Sequence, residues 1–252
     1  MDYTPEEMMI IAAARMLRDG EVVFVGIGWP NLACNLARRL HAPNLVLIYE
    51  AGVIGARPRR LPLSIGDPAL VSGALAVLPM FDLFAFYLQR GRIDVGFLSG
   101  AQVDRFGNLN ATVIGAYHRP QVRLPGSGGA AEIAAWAGRF YVITPHERRR
   151  FPERCDFRTA PGFLEGWGSR QRAGLSGGGP AAVITDLGIL TPDASGELVL
   201  SAIHPGIPVE TVQERTGWPL RIAPDLAVTP PPAPEELAVL RALRAQLRKG
   251  DG

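Results

Sequence analysis

The chain has 252 residues, of which 47% are hydrophobic and 20% are charged, and its formal net charge at pH 7 is +2. This apolar fraction excludes intrinsic disorder, and so small a net charge predicts no nucleic-acid-binding surface. The two cysteines, Cys34 and Cys155, are too few for a disulfide framework and lie in no cluster with metal-ligand spacing. We therefore expect no metal site.

Two segments bear on location. Residues 1–14 are acidic and lack the basic start and apolar run of an export signal. The most apolar stretch, residues 69–88, approaches the length of a membrane span, but Pro79 and Asp82 interrupt it. The sequence therefore predicts a cytoplasmic protein with no membrane-spanning segment.

Helices and strands are predicted to alternate through the first 144 residues. Thr4 begins a capping box with proline at the first helical position, so a helix starts there and ends before Gly20. Asp67 opens a later helix that Gly91 closes, and a polar loop follows over residues 99–110. The other predicted elements are strand 21–25, helix 31–40, strand 44–49, strand 93–98, helix 130–137 and strand 140–144.

This alternation, with glycine-rich loops between the elements, is typical of an α/β protein. We predict an open, three-layer fold in which a parallel sheet carries helices on both faces. Residues 146–180 are rich in Arg, Gly and Pro and are expected to form excursion loops. Strand patterns resume at residues 181–184 and 198–202.

The end of the chain is predicted to form a second, short part. The proline-rich stretch 230–234 is a stiff linker, which divides the chain into a main domain, residues 1–228, and a C-terminal segment, residues 229–252. That segment is predicted to be an amphipathic helix whose apolar stripe is available to dock elsewhere. The stripe consists of Leu237, Leu240, Leu243 and Leu247.

The first candidate site is the loop that contains Gly26 and Gly28, which lies between a strand and a helix. Glu50 follows Gly28 at the end of the next strand, and this is the layout of a dinucleotide-binding unit. However, the third glycine position is Asn31, and a bulky Trp-Pro pair occupies the turn that a pyrophosphate must approach. An NAD-type dinucleotide-binding module therefore stays an alternative.

The second candidate is Glu50 itself. A carboxylate at the carboxyl end of a buried strand lies where open α/β sheets bind their ligands. Gly52 and Gly55 would let the chain turn sharply there and leave the carboxylate open to a substrate. A solvated loop glutamate or a helix-capping acid explains the same pattern, so the residues alone leave the role of Glu50 open.

The third candidate is a glycine-rich turn that contains Gly126, Gly128 and Gly129 and precedes a predicted helix. Backbone N–H groups in such a turn can bind an anion, either a phosphate or a developing oxyanion, although a flexible loop has the same composition. A nucleophilic triad is not indicated, because none of the four histidines has a Ser or Cys partner in a recognisable motif.

Seven segments together carry a family resemblance. They are Gly26–Pro30, Tyr49–Gly52, Leu61–Asp67, Asp94–Asp104, Gly107–Asn110, Arg123–Ala130 and Ser201–Gly206. In this order and spacing, over about residues 5 to 228, the chain resembles the β subunit of family I coenzyme A transferases, of the glutaconate CoA-transferase type.

The resemblance implies a chemical role for Glu50, which occupies the position of the family's nucleophilic glutamate; Ala51 stands where the family often has serine. Glu50 would attack an acyl-CoA and form a mixed anhydride, and the CoA thiolate would then give a glutamyl-CoA thioester and a free acid. A second carboxylic acid reverses these steps. Such covalent catalysis needs no histidine base, because a carboxylate is already ionised at pH 7.

The resemblance also implies partners. A separate α subunit is expected, in an αβ or α2β2 assembly, with an acyl-CoA and a small carboxylic acid as substrates. Coenzyme A is then a substrate, and no cofactor is expected. The glycines predicted to bind CoA or to stabilise the oxyanion are Gly26, Gly28, Gly52, Gly126, Gly128 and Gly129.

A rival function on the same fold is a CoA-thioester or ring-opening hydrolase. As the family is understood, such relatives lack the nucleophilic glutamate in this half, so Glu50 favours transfer over hydrolysis.

Overall fold

The structure, a computed structural model, describes residues 2–248, with side chains through residue 246. The chain forms two compact units, the first made of residues up to Phe97 together with those from Pro231 onward, the second of Leu98–Pro230. The segment beyond the predicted boundary at residue 228 thus groups with the N-terminal residues. No helix within residues 2–248 is long and apolar enough to cross a membrane.

The first unit contains five strands in the order β5-β1-β2-β3-β4. They are β1 (Val22–Phe24), β2 (Val46–Tyr49), β3 (Val53–Ile54), β4 (Ala76–Val77) and β5 (Val95–Leu98). The central strand β1 is parallel to both β2 and β5, whereas β3 is antiparallel to β2 and to β4. The predicted parallel arrangement is therefore present at β1, and the small strands on one side of it are antiparallel.

Three long helices belong to this unit: α1 (Pro5–Arg15), α2 (Trp29–Leu40) and the C-terminal helix α7 (Pro234–Arg248). Each contacts the other two. The predicted capping box starts α1, since the Thr4 hydroxyl accepts from the Glu7 N–H and the Glu7 carboxylate accepts from the Thr4 N–H.

The apolar stripe of α7 is used within the chain itself. Leu240 and Leu243 are fully buried, and Leu237 is half-buried. The Leu247 side chain lies outside the described residues. The expectation that this stripe docks elsewhere is therefore wrong for its central residues, because α1 and α2 pack against α7.

The predicted helix from Asp67 to Gly91 is also wrong. The chain forms a short 3-10 turn (Pro68–Val71), strand β4, the single helical turn α3 (Met80–Asp82) and a π-helix (Leu83–Leu88). The apolar composition of this stretch fits a buried helix, but pairing with β3 turns part of it into a strand. Composition alone does not reveal such a tertiary pairing.

The second unit holds strands in the order β14-β13-β12-β11-β10. They are β10 (Arg139–Ile143), β11 (Pro180–Ile184), β12 (Gly188–Pro192), β13 (Leu198–Ile203) and β14 (Ile222–Val228). The outer pairs β10–β11 and β13–β14 are parallel, and the pairs between them are antiparallel. The unit also contains helices α4 (Ala130–Trp136), α5 (Ser169–Arg172) and α6 (Val209–Glu214).

Two hairpins complete the second unit. They are β6 (Gln102–Val103) with β7 (Leu109–Asn110), and β8 (Val113–Ala116) with β9 (Arg119–Arg123). The segment predicted to be a polar loop, residues 99–110, thus contains a small hairpin. The excursion loops predicted over residues 146–180 carry only a 3-10 turn and α5 before β11 begins.

Strands β2 and β3 are joined by a three-residue turn, Glu50–Gly52. The Gly52 N–H donates to the Tyr49 carbonyl at 2.9 Å, and Tyr49 pairs with Val53 across the hairpin. Gly52 has a φ of +102°, and a Cβ on it would overlap the Leu78 carbonyl oxygen. The Leu78 N–H in turn donates to the Gly52 carbonyl at 2.9 Å. Only glycine fits this position.

We predict that Gly52→Ala lowers the free energy of unfolding by more than about 3 kcal/mol, because both the left-handed backbone and the backbone clash oppose it. Gly20→Ala is the matched control: Gly20 has a φ of +82° but no atom within 4 Å of a Cβ. The control should cost about 1 kcal/mol. Equal losses in urea denaturation would contradict the proposed clash.

A second prediction concerns acid stability. The Glu7 carboxylate accepts hydrogen bonds from Arg241 Nε at 2.8 Å and from the Thr4 N–H at 2.9 Å. The bond from Arg241, more than the Thr4 N–H, lowers the pKa of Glu7 to about 2 against the opposing effect of burial. Because the folded-state pKa is the lower one, this stabilisation is present above pH 4.5 and is lost as the pH falls towards 2.

We therefore expect Arg241→Gln to be less stable than wild type above pH 5 and equal to it near pH 2. The measurement is the urea midpoint as a function of pH. Arg90→Gln, at an exposed arginine, should shift the midpoint little and by the same amount at every pH. A constant difference between Arg241→Gln and wild type would show that Glu7 does not titrate in this way.

Candidate active site

Glu50 lies at the carboxyl end of β2. The parallel neighbour β1 is in register with it, with Phe24 opposite Ile48, and the Val25 N–H donates to the Ile48 carbonyl at 2.9 Å. The loop from Gly26 to Gly28 therefore leaves the sheet at the edge where Glu50 lies. This is the edge at which α/β sheets bind ligands, and the structure brings these two sequence candidates together.

The Glu50 side chain is half-buried, and no residue within 2–248 donates a hydrogen bond to it or forms an ion pair with it. The turn that carries it is held by backbone hydrogen bonds at Gly52, as described above. A carboxylate on a fixed turn with both oxygens free can act as a nucleophile.

The Gly26–Gly28 loop offers hydrogen-bond donors beside this carboxylate. Gly28 caps α2 with a φ of +83°, and its carbonyl accepts from the Leu32 N–H at 3.1 Å. The backbone N–H groups of Gly28 and Trp29 have no partner among the described residues, whereas the Trp29 indole N–H donates to Glu6. Gly26 is not tightly packed, because a Cβ added to it would lie at an ordinary van der Waals distance, 3.7 Å, from the nearest atom, Pro30 Cγ. Free N–H groups at a helix start are suited to an oxyanion.

The same loop fits a dinucleotide poorly. Pro30 lies in the first turn of α2 and has no N–H to offer a phosphate. Asn31, at the third glycine position, is buried, and its side chain accepts hydrogen bonds from Tyr49 and Asn35. A third glycine would let the helix pack closely against the strand, but here the side-chain amide of Asn31 fills that space.

The glycine-rich turn before α4 belongs to the second unit. The Gly126 N–H donates to the Ala111 carbonyl at 2.8 Å, so it is not available to an anion. The Gly128 N–H has no partner among the residues the structure describes, and Gly129 caps α4. The positive φ values of Gly126 and Gly128, +101° and +49°, shape the turn. The predicted oxyanion role thus suits Gly128 better than Gly126.

The buried histidines and Cys34 do not supply a competing nucleophile. His146 and His204 are buried and bind threonines, with His146 Nε2 lying 3.0 Å from Thr216 Oγ1. Burial lowers the pKa of His146 to about 3, so it stays neutral. Cys34 is fully buried, and burial raises the pKa of its thiol. The half-buried carboxylate of Glu50, which has no hydrogen-bond partner among the described residues, is the more reactive group.

Sequence reasoning missed the role of the amides. Asn108 Oδ1 accepts from the N–H groups of Gly162 and Leu164, and Asn108 Nδ2 donates to Asp104 and to the Leu164 carbonyl. Leu164 has a φ of +57°, so Asn108 holds a strained loop. The motif Gly107–Asn110, which carries part of the family resemblance, is therefore structural at Asn108.

A buried polar chain links α2 to the hairpin of Glu50, and it too was missed. The Tyr49 hydroxyl donates to Asn31 Oδ1 at 2.8 Å, and Asn35 Nδ2 donates to the same oxygen at 2.8 Å. Arg38 donates to Asn35 Oδ1 and to the Ala56 carbonyl. The sequence signal was available: polar residues at i and i+4 lie on the buried face of α2.

Several known proteins are similar to this chain in sequence. The coenzyme A transferase family model matches residues 6–215. The chain is 51% identical to the B subunit of 3-oxoadipate CoA-transferase from Pseudomonas knackmussii, over 99% of this chain and 96% of that one. It is 35% identical to the B subunit of glutaconate CoA-transferase from Acidaminococcus fermentans, over 99% and 94% of the two chains.

The fold agrees with these relationships. The crystal structure of glutaconate CoA-transferase from Acidaminococcus fermentans superposes with a TM-score of 0.90, covering 95% of this chain and 94% of that one. A cholesterol ring-cleaving hydrolase subunit of Mycobacterium tuberculosis is more distant, at 25% identity over 95% and 94% of the two chains. The predicted α/β class, a mostly parallel sheet with helices on both faces, is confirmed, with mixed strand directions as described.

The relatives with the higher identity are named as B subunits of CoA-transferases, which confirms the predicted transferase subunit and implies an α-subunit partner. The chain belongs to the coenzyme A transferase family and is a β-type subunit of a CoA-transferase.

Proposed function

We propose that Glu50 is the nucleophile of this CoA-transferase and that transfer proceeds by ping-pong chemistry through a glutamyl-CoA thioester. The observation that carries the proposal is the free Glu50 carboxylate on its backbone-held turn, beside the unpartnered backbone N–H groups of Gly28 and Trp29. Those N–H groups would stabilise the oxyanion of each tetrahedral intermediate.

The proposed steps balance without a further reactant. A Glu50 oxygen attacks the thioester carbonyl carbon, the C–S bond breaks, and the CoA thiolate departs. A mixed anhydride between Glu50 and the acyl group remains. The thiolate attacks the Glu50 carbonyl carbon and releases the original acid as its carboxylate. An incoming carboxylate attacks the resulting glutamyl thioester, and the same two exchanges in reverse order release the new acyl-CoA and restore Glu50.

For the substrate class, we propose short dicarboxylic acids and their mono-CoA esters. The names of two relatives, at 51% and 35% identity, refer to 3-oxoadipate and glutaconate, and both are dicarboxylic acids. Because CoA thioesters are intracellular metabolites, the cytoplasm is the proposed location.

We further propose that the α subunit, in an αβ or α2β2 assembly, covers the apolar segment 63–86. Of the exposed large hydrophobic side chains within the described residues, most lie there, and they are Leu63, Ile65, Val71, Leu75, Val77, Met80, Phe81 and Phe86. Patches of this kind mark protein interfaces. The Leu78–Gly52 hydrogen bonding brings the segment beside the Glu50 turn, so a partner seated on it would reach the active site.

To test the nucleophile, the αβ complex is incubated with acyl-CoA and no acceptor acid. We expect CoA to become attached at Glu50, so that borohydride reduces the thioester and shifts the mass of the peptide that contains Tyr49–Gly52. Glu50→Gln and Glu50→Ala should abolish the label and transfer, and Glu50→Asp should lose on the order of 100-fold in rate, because the carboxylate is withdrawn.

The matched control is Glu235→Gln, at an exposed glutamate in the first turn of α7, which should label and turn over like wild type. An unlabelled wild-type chain that consumes acyl-CoA steadily without an acceptor would contradict the proposal and support the hydrolase alternative. Near-normal transfer by Glu50→Ala would show that another group is the nucleophile.

For the partner surface, Phe81→Ser should weaken association with the α subunit about 10- to 100-fold in a titration, because it removes a large apolar contact. Phe81 is 72% exposed, so the free chain should keep its stability. Trp167→Ser, at a 61% exposed site in the second unit, is the control. Equal affinity of Phe81→Ser and wild type, or substantial transfer by the β chain alone, would refute this assignment.

A further inference from the structure

One buried hydrogen bond joins the two loops of the active site. Tyr49 directly precedes Glu50, and its carbonyl accepts the Gly52 N–H that closes the turn. Asn31 lies in the first turn of α2, just after the free N–H groups of Gly28 and Trp29. The Tyr49 hydroxyl and Asn31 Oδ1 are 2.8 Å apart, which ties the turn of the nucleophile to the loop of the oxyanion donors.

The other end of the chain of polar groups fixes the far side of the same hairpin. Arg38, in the last turn of α2, donates to Asn35 Oδ1 at 2.8 Å and to the Ala56 carbonyl, which follows β3, at 2.6 Å. Helix α2 therefore contacts the β2–β3 hairpin through polar bonds at both ends of the strands. Rotation or sliding of the hairpin against α2 would break at least one of these bonds.

Stability alone does not account for this series of hydrogen bonds between Tyr49, Asn31, Asn35 and Arg38. Tyr49, Asn31 and Asn35 are each at most 2% exposed, and replacing a buried hydrogen-bonded pair by apolar groups of the same shape is often nearly neutral. What directional hydrogen bonds provide and apolar contacts do not is a fixed relative placement of the two elements. Burial also raises the pKa of the Tyr49 hydroxyl, so it stays protonated as a donor.

We infer that Tyr49 and Asn31 are positioning residues, whose hydrogen bond sets the Glu50 carboxylate against the N–H groups of Gly28 and Trp29. The inference rests on the proposed role of Glu50. It explains why a half-buried carboxylate with no side-chain partner can be held in place for attack. A displacement of about 1 Å at such a site costs on the order of 100-fold in rate.

The decisive variant is Tyr49→Phe in the αβ complex. Asn31 Oδ1 keeps the hydrogen bond from Asn35 Nδ2, so no buried acceptor is left unpaired and the chain should fold. We expect kcat, and the single-turnover rate of glutamyl-CoA formation, to fall about 10- to 100-fold, while KM for acyl-CoA changes less than about threefold. Asn31→Leu should cause a similar fall, and the double variant should add little.

Thr216→Val is the control for a purely structural effect. It breaks the buried 3.0 Å contact with His146 in the second unit and should lower the urea midpoint at least as much as Tyr49→Phe, with kcat unchanged. A Tyr49→Phe complex within twofold of wild-type kcat would overturn the inference, and so would equal losses of kcat in the two variants. If Glu50→Gln itself transfers CoA, the proposed function fails, whatever Tyr49→Phe does.

Discussion

The backbone contact between Gly52 and Leu78 is the constraint on which the first unit depends. It joins the β2–β3 turn to the end of β4 by a 2.9 Å hydrogen bond, in a space where even a methyl group does not fit. Strands β3 and β4 have only two residues each and would not be stable as an isolated pair. The close approach lets them extend the sheet beyond β2, and it fixes Glu50 on a turn with backbone bonds at both ends.

Buried polar side chains serve the same purpose where regular elements are short. Arg170 is 2% exposed and donates to carbonyl groups that include those of Gly177, Gly162 and Ala134. It thereby satisfies the C-terminal end of α4 and ties two loops to it, with no acidic partner among residues 2–248. Asn108 and Asn31 act similarly in their own units. These side chains supply hydrogen bonds in places where the backbone is not paired in a sheet.

The sequence predicted those parts of the fold that local chemistry decides. The Thr4 capping box, the apolar runs of β1 and β2 and the strand-end position of Glu50 follow from residue type and spacing. Pairing across the chain was not predictable in this way. Residues 76–77 became a strand because β3 lies beside them, and α7 buried Leu240 and Leu243 because α1 and α2 offered a surface. The free backbone N–H groups at Gly28 likewise depend on how the loop leaves β1, which residue type alone does not determine.

In the proposed assembly, whether the glutamyl thioester at Glu50 reacts with an acceptor acid or with water depends on how well water is excluded from the site. A glutamyl thioester is activated towards any nucleophile, and water at Glu50 would compete with the acceptor acid. In the β chain the Glu50 carboxylate is only half-buried. Leu78 is bonded to the turn that carries Glu50, and the exposed side chains of Met80 and Phe81 lie two and three residues further along the chain. A partner seated on them would close the site around Glu50 only when both halves are present. The apolar segment 63–86 would then protect the intermediate as well as bind the α subunit. A variant such as Phe81→Ser can still be assembled at a high concentration of the α subunit, and in that complex acyl-CoA should be diverted from transfer to hydrolysis.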